Sequence, residues 1–453
     1  MIKSIDNVKQ NVNSQILINN NKNAQQIAFK GRAEVKFLNS FIKSQENLST
    51  TRFIQGTMTN WLPKAILSRS LVDFSEFTFL ELLESGIFYF AAPFLGEKLF
   101  RNGLFKKIQP KNLKNNITSN LVKSVDEIKK SNLNKDLQKR LITTKAGIVL
   151  ACLAVPALEY GLGFAKNLFT LKVFKISDFN NVANLDKKKN EDIEQSKKVE
   201  THSKKVLTKT GLLSAAGIAA GLALAAKGHN SNSALKFSKA LLEPGVAISK
   251  LLHKVGIKTP NVDNFLKEYL KLDFNNNNGK LALSKGQLAL TCTTGLFGYS
   301  SAAKDRGKLD FYEVWTRVPL VVVYTIFGSS ILDAGFKKFL AKNGKFPELV
   351  KKDKLGNIAP IPTSKELPDI AERVSKVNKT SVNSELEKLI KQKSVVTGVP
   401  YLFSVVAMGF LLSGVSRLWT QYRYNHSQKN SENNSQPQQN LSPAFSGFKT
   451  LAH

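Results

Sequence analysis

The chain has 453 residues, 42% of them hydrophobic, and a formal net charge of +32. This length allows two or three soluble domains, or several membrane-spanning helices joined by polar loops. The charge is nearly all lysine and is spread over every loop, which favours attraction to anionic lipid headgroups, although AT-rich codon usage also produces a lysine and asparagine excess. Specific nucleic-acid contacts depend on arginine and on clustered basic faces, so the composition argues against nucleic acid as a partner.

The N-terminal region predicts no cleaved leader. Residues 1–35 are rich in Asn, Gln and Lys and are expected to be disordered. They lack the apolar core of a cleavable signal peptide, so an internal span would have to direct membrane insertion. Residues 36–76 mix bulky apolar residues with bases around Trp61, a pattern that predicts amphipathic helices along a membrane surface or helices packed on the rest of the protein.

Residues 77–180 predict two apolar helices joined by a basic helical connector. The first stretch, residues 77–96, contains Glu81 and Glu84 at i and i+3, which places both carboxyl groups on one helix face. The second apolar stretch, residues 146–165, contains one acid, Glu159.

An Ala- and Gly-rich helix is predicted over residues 210–226, after a charged linker over residues 181–209. It is a marginal span because few of its residues are strongly apolar. Gly217 and Gly221 form a G-x-x-x-G pair, which lets two helix backbones approach closely, but an Ala-rich stretch also produces this spacing by chance.

A polar helical loop over residues 227–285 precedes an apolar helical hairpin over residues 286–336. The loop contains a stretch starting at Asp273 that resembles a calcium-binding loop, but it lacks glycine at position six and glutamate at position twelve. The hairpin contains a short charged loop from Lys304 to Arg317, Trp315 at a predicted membrane interface, and Asp333 near its end.

The strongest predicted span lies near the C-terminus, in residues 394–424, after a Lys-rich polar helical loop over residues 337–393. Residues 394–416 carry no charge; as a helix they would measure about 34 Å, enough for a hydrocarbon core of about 30 Å. A buried core helix is the alternative. Residues 425–453 are expected to be a disordered tail. Side chains typical of a membrane interface follow the uncharged stretch, namely Trp419, Tyr422 and Arg423.

No pattern predicts catalysis, a metal site or a cofactor. The five histidines are far apart, the two cysteines lie separately in apolar stretches, and no phosphate-binding loop or nucleophile elbow is present. The functional candidates are therefore the acids in apolar surroundings, because charge within a bilayer is costly and usually functional: Glu81, Glu84, Glu159 and Asp333. The alternative for each is an ion pair with a lysine.

Together these observations predict an all-α, multi-span integral membrane protein with about four to six apolar helices, Lys-rich helical loops and disordered ends. The expected location is an inner membrane of bacterial type, and the expected partners are anionic lipid, another membrane protein or further copies of this chain. The predicted function is non-enzymatic membrane organisation or binding of lipid and partner proteins. The alternative is a transporter or channel that uses the four acids. An enzyme ranks third and a soluble basic helical protein fourth.

Overall fold

The computed structural model describes residues 33–46, 57–86, 95–109, 120–186, 192–256, 259–277, 280–353 and 356–435. This part of the chain is nearly all helical and contains one short antiparallel hairpin, β1 (Asn275–Asn277) with β2 (Lys280–Ala282). The chain forms two compact units. The smaller unit comprises Met1–Thr59 and Val323–Val406, and the larger unit comprises Asn60–Val322 and Ala407–His453. The predicted segment 36–76 is therefore divided between them.

In chain order the α-helices are α1 (Ala33–Gln45), α2 (Leu62–Ile66), α3 (Leu71–Ser85), α4 (Phe105–Lys107), α5 (Val125–Lys130), α6 (Lys135–Cys152), α7 (Ala154–Phe174), α8 (Phe179–Val182), α9 (Ile193–Lys227), α10 (Asn232–Leu242), α11 (Pro244–Lys254), α12 (Pro260–Tyr269), α13 (Lys285–Lys304), α14 (Lys308–Val323), α15 (Ser329–Lys342), α16 (Leu367–Asn378), α17 (Val382–Ser404) and α18 (Leu412–Ser435). Segments of π-helix cover Thr57–Trp61, Leu95–Leu104, Tyr324–Gly328 and Val405–Leu411, and a 3₁₀ turn covers Gly228–Asn230.

Polar side chains fix where several of these helices begin. The Ser70 and Asn134 side chains accept hydrogen bonds from backbone amides in the first turns of α3 and α6. Ser284 caps α13 reciprocally with Gln287. Such caps satisfy amides that have no partner within the helix. The caps at Ser70 and Ser284 thus mark the starts of α3 and α13, which supply four carboxyl groups and Tyr299 to the site described below.

Close helix contacts organise the larger unit, in which α6 packs on α9, and α7 packs on α9, α13 and α3. The predicted glycine pair lies at the first of these contacts. A Cβ atom on Gly221 would lie 2.4 Å from the carbonyl oxygen of Gly147, and one on Gly217 would lie 3.3 Å from the carbonyl oxygen of Leu150. Because there is no room for a larger side chain at Gly221, glycine permits the backbones of α6 and α9 to touch.

The calcium-like stretch of the larger unit is a turn rather than an ion site. Asp273 is fully buried, and one of its carboxylate oxygens lies 2.8 Å from the ammonium nitrogen of Lys145 on α6. The residues after it form the β1–β2 hairpin that leads into α13. The Asp273–Lys145 ion pair therefore anchors this turn to the helical core.

The smaller unit has its own core. Apolar side chains of α1, α15, α16 and α17 are buried together, among them Val35, Ile42, Leu340 and Leu389. Helix α1 begins at Ala33, just before the predicted end of the disordered region at residue 35, and its burial fits the alternative of a helix packed on the protein.

A polar contact in the smaller unit joins the end of α1 to α17. The Glu46 carboxylate accepts hydrogen bonds from the Lys393 ammonium group at 2.6 Å and from the Ser364 hydroxyl group at 2.6 Å. Burial opposes ionisation of Glu46, but these hydrogen bonds outweigh that effect and lower its pKa below the ordinary value of 4.5. The ionised form of Glu46 therefore stabilises the folded unit.

Four helical segments of the described chain are long and apolar enough to cross a membrane: Lys135–Phe174, Ile193–Asn230, Lys308–Lys342 and Val382–Lys429. The most apolar part of the first is 78% buried, whereas the corresponding parts of the other three are 17%, 0% and 28% buried. Four candidate spans is the lower end of the predicted range of about four to six apolar helices. Helix α13 covers the predicted stretch 286–303 but is less apolar than these four segments, and residues 87–94 of the predicted stretch 77–96 lie outside the described residues.

Two predicted boundaries differ from the structure. The chain remains helical through Ser435, so the predicted disordered tail from residue 425 begins as part of α18. The charged sequence after Lys304, predicted to be a loop, instead begins α14 at Lys308, with Asp310 and Glu313 buried. The second pattern is misleading because charged residues indicate a solvated loop only when tertiary contacts do not bury them. Residues 425–429 are exposed, so burial does not explain why α18 continues through them.

Candidate functional site

A cavity of about 100 Å³ lies within the larger unit, among α2, α3, α7, α13 and α14. This volume is sufficient for several water molecules. Its apolar walls include Phe77 and Leu80. The ionisable side chains that line it are Lys64, Asp73, Glu76, Glu81, Glu84, Lys166, Tyr299, Asp310, Glu313 and Arg317. We call this set, together with Arg69, Glu159, Arg306 and Arg417, the polar centre.

Helix α3 supplies four carboxyl groups to the polar centre because its acids recur at helical spacing. Asp73, Glu76 and Glu81 are 1%, 3% and 4% exposed, and Glu84 is half-buried. By contrast, Leu71 and Leu82 of the same helix are 74% and 67% exposed. Helix α3 therefore buries its acids beside Phe77 and Leu80 while it exposes Leu71 and Leu82, whereas a helix at an aqueous surface usually exposes its acids.

Lys64 on α2 faces Glu81 on α3, and the two side chains form a buried ion pair. Burial lowers the pKa of Lys64, although the Glu81 carboxylate opposes that effect. The Arg417 guanidinium group of α18 donates to the carbonyl oxygen of Lys64 at 3.2 Å and lies 3.4 Å from a carboxylate oxygen of Asp73. These contacts connect α2, α3 and α18.

Arg69, in the turn before α3, makes a two-pronged contact with α14. Its terminal nitrogens donate to the two carboxylate oxygens of Glu313 at 2.8 and 3.0 Å, and its Nε donates to Asp73 at 3.3 Å. Such fork-shaped pairs are among the strongest charged hydrogen bonds and fix geometry as well as charge. The Arg69–Glu313 pair therefore fixes α14 against the start of α3.

Arg306, in the turn between α13 and α14, pairs with Glu76 of α3 at 2.9 Å and with Asp310 at 3.4 Å. Lys166 of α7 lies 3.5 Å from the same Glu76 carboxylate. The Arg306 and Lys166 side chains thus offset the cost of burying the Glu76 carboxylate. At this end of the polar centre, each buried carboxylate has a cation close by.

Around Tyr299 of α13, in contrast, two carboxyl groups lie close to each other. Its phenolic oxygen lies 2.9 Å from Oε1 of Glu159 on α7 and 3.2 Å from Oε2 of Glu84 on α3. Glu159 is 3% exposed, and its other oxygen, Oε2, is buried without a hydrogen-bond partner in the described part of the protein. Tyr299 thus connects two carboxyl groups, neither of which has a lysine or arginine within ion-pair distance among the described residues.

Glycines bring α7 and α13 close enough for this contact. A Cβ atom on Gly298 would lie 2.3 Å from the carbonyl oxygen of Tyr160, and one on Gly295 would lie 3.0 Å from Oε1 of Glu159. Because both positions lack a side chain, the Glu159 carboxyl group fits against α13 within hydrogen-bond distance of Tyr299.

Three of the four acids singled out in the sequence meet in the polar centre: Glu81, Glu84 and Glu159. The fourth, Asp333, belongs to the smaller unit; its side chain is 41% exposed and lies 2.6 Å from the ammonium nitrogen of Lys337. The expected ion pair with lysine therefore occurs at Glu81 and Asp333, whereas Glu84 and Glu159 contact Tyr299.

The predicted interfacial aromatic residues differ in exposure. Trp315, Trp419 and Tyr422 are 43%, 42% and 59% exposed. The Arg423 guanidinium group lies 5.0 Å from the ring centre of Trp419 and 4.3 Å from that of Tyr312. Trp61 instead donates its indole N–H to the Thr78 hydroxyl at 3.1 Å, so its polar edge is used within the protein.

Sequence reasoning missed most of the cations of the polar centre and its tyrosine. One signal was present: the positive charge of this chain is nearly all lysine, yet four arginines meet here, namely Arg69, Arg306, Arg317 and Arg417. Arginine is the base best suited to buried carboxylates because its planar group donates in a fixed fork. Tyr299 gave no such signal, because its role depends on the contact of α7 with α13.

The described residues do not assemble a familiar catalytic or metal-binding arrangement. No group of three or more His, Cys, Asp or Glu side chains among them is placed to hold a metal ion. Ser249, His253 and Asp263 lie together, but the Asp263 carboxylate contacts both others, at 2.5 Å to Ser249 and 2.7 Å to His253. A nucleophilic triad requires the histidine between serine and acid, so this arrangement does not form one.

Comparison of the chain with protein-family models, with curated proteins and with solved structures gives no match.

Proposed function

We propose that the protein is a multi-span helical membrane protein that moves a small cation through the polar centre, as a transporter or channel. The observation that carries the proposal is the inverted pattern of α3, which exposes Leu71 and Leu82 and buries Asp73, Glu76 and Glu81. In a bilayer this pattern is favourable, since lipid solvates leucine and the bundle interior solvates charge.

The candidate spans support the membrane part of this proposal. None of the most apolar part of Lys308–Lys342 is buried, and its exposed side chains include Leu320, Val323 and Ile331. In Val382–Lys429, residues such as Leu402, Phe403 and Leu411 are likewise exposed. Apolar faces of this extent are rare on soluble monomers, whereas a hydrocarbon environment would cover them at no cost.

The cavity supports the transport part. Burying charge costs several kcal/mol per ion, and well-packed apolar residues often serve stability equally well. A polar centre with room for water is therefore more typical of an ion pathway than of a helix-packing contact. For this reason the transporter or channel, second in the sequence-based ranking, becomes the first proposal.

The membrane part is tested by alkaline extraction of membranes from expressing cells. The proposal predicts that the protein stays in the pellet and needs detergent for release; release by alkaline carbonate alone would contradict it. Transport is tested with purified protein in liposomes that contain a dye sensitive either to pH or to an alkali cation, under an imposed gradient of that ion or a membrane potential. Wild type should carry flux and Glu81→Gln should reduce it, whereas Asp333→Asn, an acid outside the polar centre, should leave it unchanged. Folded, reconstituted wild type without flux would refute the transport proposal.

The second candidate is membrane organisation through binding of anionic lipid or partner proteins. The net charge of +32 and the broad exposed apolar faces favour it, because basic segments beside a membrane attract anionic headgroups. It predicts a marked preference for liposomes that contain anionic lipid, lost at high salt, in protein that shows no flux. Equal association with neutral and anionic liposomes would count against it.

A further inference from the structure

The hydrogen-bond geometry at Tyr299 favours a proton on one of the two carboxyl groups that the phenol contacts. The phenolic oxygen lies within 3.2 Å of both Glu84 and Glu159, but a phenol has only one hydrogen to donate. If both carboxyl groups were ionised, one of the two contacts would place a carboxylate oxygen against the lone pairs of the phenol. A proton on one carboxyl group removes this conflict, since that group then donates to the phenol while the phenol donates to the other.

The charges around this pair lead to the same conclusion. The charged groups facing Glu84 and Glu159 are Glu81 on α3, Lys64 on α2 and Arg317 on α14. With Glu84 and Glu159 included, three carboxyl groups face two cations, and Lys64 is already paired with Glu81. Glu159 also has a buried oxygen, Oε2, without a hydrogen-bond partner in the described part of the chain. An ionised carboxylate in that position would be costly, and a neutral carboxyl group much less so.

We propose that Glu84 and Glu159 hold a single proton between them through Tyr299, and that this proton is the cation that the protein moves. Movement of this proton rests on the proposed function, whereas the shared proton is a property of the resting protein alone. Glu84 lines the cavity, and Glu159 lies behind it against Gly295, so the three side chains form a short relay from the cavity into the contact between α7 and α13.

The transfer balances without any further reactant. When Glu84 carries the proton, its O–H donates to the Tyr299 oxygen, and the Tyr299 O–H donates to the Glu159 carboxylate. The Glu84 O–H bond breaks as a new O–H bond forms on Tyr299, and the original phenolic O–H bond breaks as one forms on Glu159. Tyr299 is neutral before and after, Glu84 becomes the carboxylate, and Glu159 becomes the acid. The reverse transfer returns the proton to Glu84, which lines the cavity and exchanges it there with water, so the pair holds one proton at a time.

The first test is infrared spectroscopy of purified, detergent-solubilised protein at neutral pH. A protonated carboxyl group has a carbonyl stretching band separate from that of a carboxylate, and the band shifts when solvent hydrogen is replaced by deuterium. We expect this band in wild type and in Asp333→Asn, its loss in the double variant Glu84→Gln/Glu159→Gln, and a shift in Tyr299→Phe, which removes the bridging hydroxyl group. If the double variant does not fold, each single amide variant must alter the band.

Two outcomes would overturn the shared proton: absence of the band in wild type, and a band that stays unchanged in every variant of the pair. The flux assay then separates the two claims. A band without flux would refute the proposed function and leave the shared proton standing. Flux without the band would preserve transport and refute the proton relay. Flux that persists in Tyr299→Phe at the wild-type rate would show that protons do not pass through this tyrosine.

Discussion

The contact between α6 and α9 gives the most quantitative prediction, because the same substitution can be made at a crowded and at an open glycine of one helix. A Cβ atom on Gly221 would lie 2.4 Å from the backbone oxygen of Gly147 and 3.2 Å from the backbone nitrogen of Ala151. Around Gly211, also on α9, no side chain and no atom of another helix in the described part of the chain lies within 4 Å of the corresponding position. Gly221→Ala therefore forces two backbones apart, and Gly211→Ala does not.

Two contributions determine how much each substitution changes the free energy of unfolding. Alanine in place of glycine inside a helix gains roughly 0.5–1 kcal/mol at either position. Overpacking of a tight contact costs about 1–3 kcal/mol, and it applies at Gly221 alone, where a rigid backbone rather than a flexible side chain meets the new atom. Since the helix term is common to both variants, Gly221→Ala should be less stable than Gly211→Ala by about 1–3 kcal/mol.

Thermal unfolding in one detergent, followed by the loss of monodisperse protein in size-exclusion chromatography, measures this difference. We expect Gly211→Ala to unfold at or above the wild-type midpoint and Gly221→Ala clearly below that of Gly211→Ala. Equal midpoints for the two variants would mean that α6 and α9 do not touch at Gly221, and the close contact of the two backbones would then be wrong.

Three further predictions concern the ion pairs and the C-terminal span. Glu313→Ala, which leaves Arg69 buried with only part of its hydrogen bonds, should destabilise the protein by about 3–5 kcal/mol and lower the unfolding midpoint. Val406 is 54% exposed in an apolar stretch, so Val406→Arg should cost roughly 2.5–3.5 kcal/mol of membrane-insertion free energy and reduce the alkali-resistant membrane fraction. The control Ser435→Arg should not reduce that fraction. Equal effects of the two substitutions would argue against a span at Val406. Because the pKa of Glu46 is lowered on folding, Glu46 contributes stability above about pH 4.5 that is lost as the pH falls through its folded pKa. Glu46→Gln should therefore make the unfolding midpoint less sensitive to acid. An unchanged pH dependence of the midpoint would contradict this.

The helical secondary structure and the positions of the apolar stretches were predictable because they depend on local composition. The long uncharged stretch after Lys393, for example, is encoded in consecutive residues. Hydropathy and capping act over a few residues, so their effect does not depend on what the rest of the chain does.

Whether a charged helix face is buried or exposed was not predictable from local composition. The acids after Lys304 read as a loop, yet Asp310 and Glu313 are buried because Arg306 and Arg69 reach them from other turns of the chain. The same holds for α3, where leucines are exposed and acids are buried. A single helix has the same periodicity whichever face turns inward, so sequence pattern alone does not distinguish the two orientations.

The sequence by itself determined that the chain is helical, that several of its helices are apolar enough for a bilayer, and that acids interrupt some of them. Only the tertiary structure decided which acids meet. Glu84, Glu159 and Tyr299 belong to α3, α7 and α13, which are far apart in the chain, and they come within hydrogen-bond distance because Gly298 lets α13 touch the backbone of α7 at Tyr160. Asp333 resembles them in sequence but pairs with Lys337 one helical turn away. The physical reason is range: hydrophobicity and helix capping depend on near neighbours, whereas a shared proton needs three groups placed within about 3 Å of one another, which only packing between distant helices can provide.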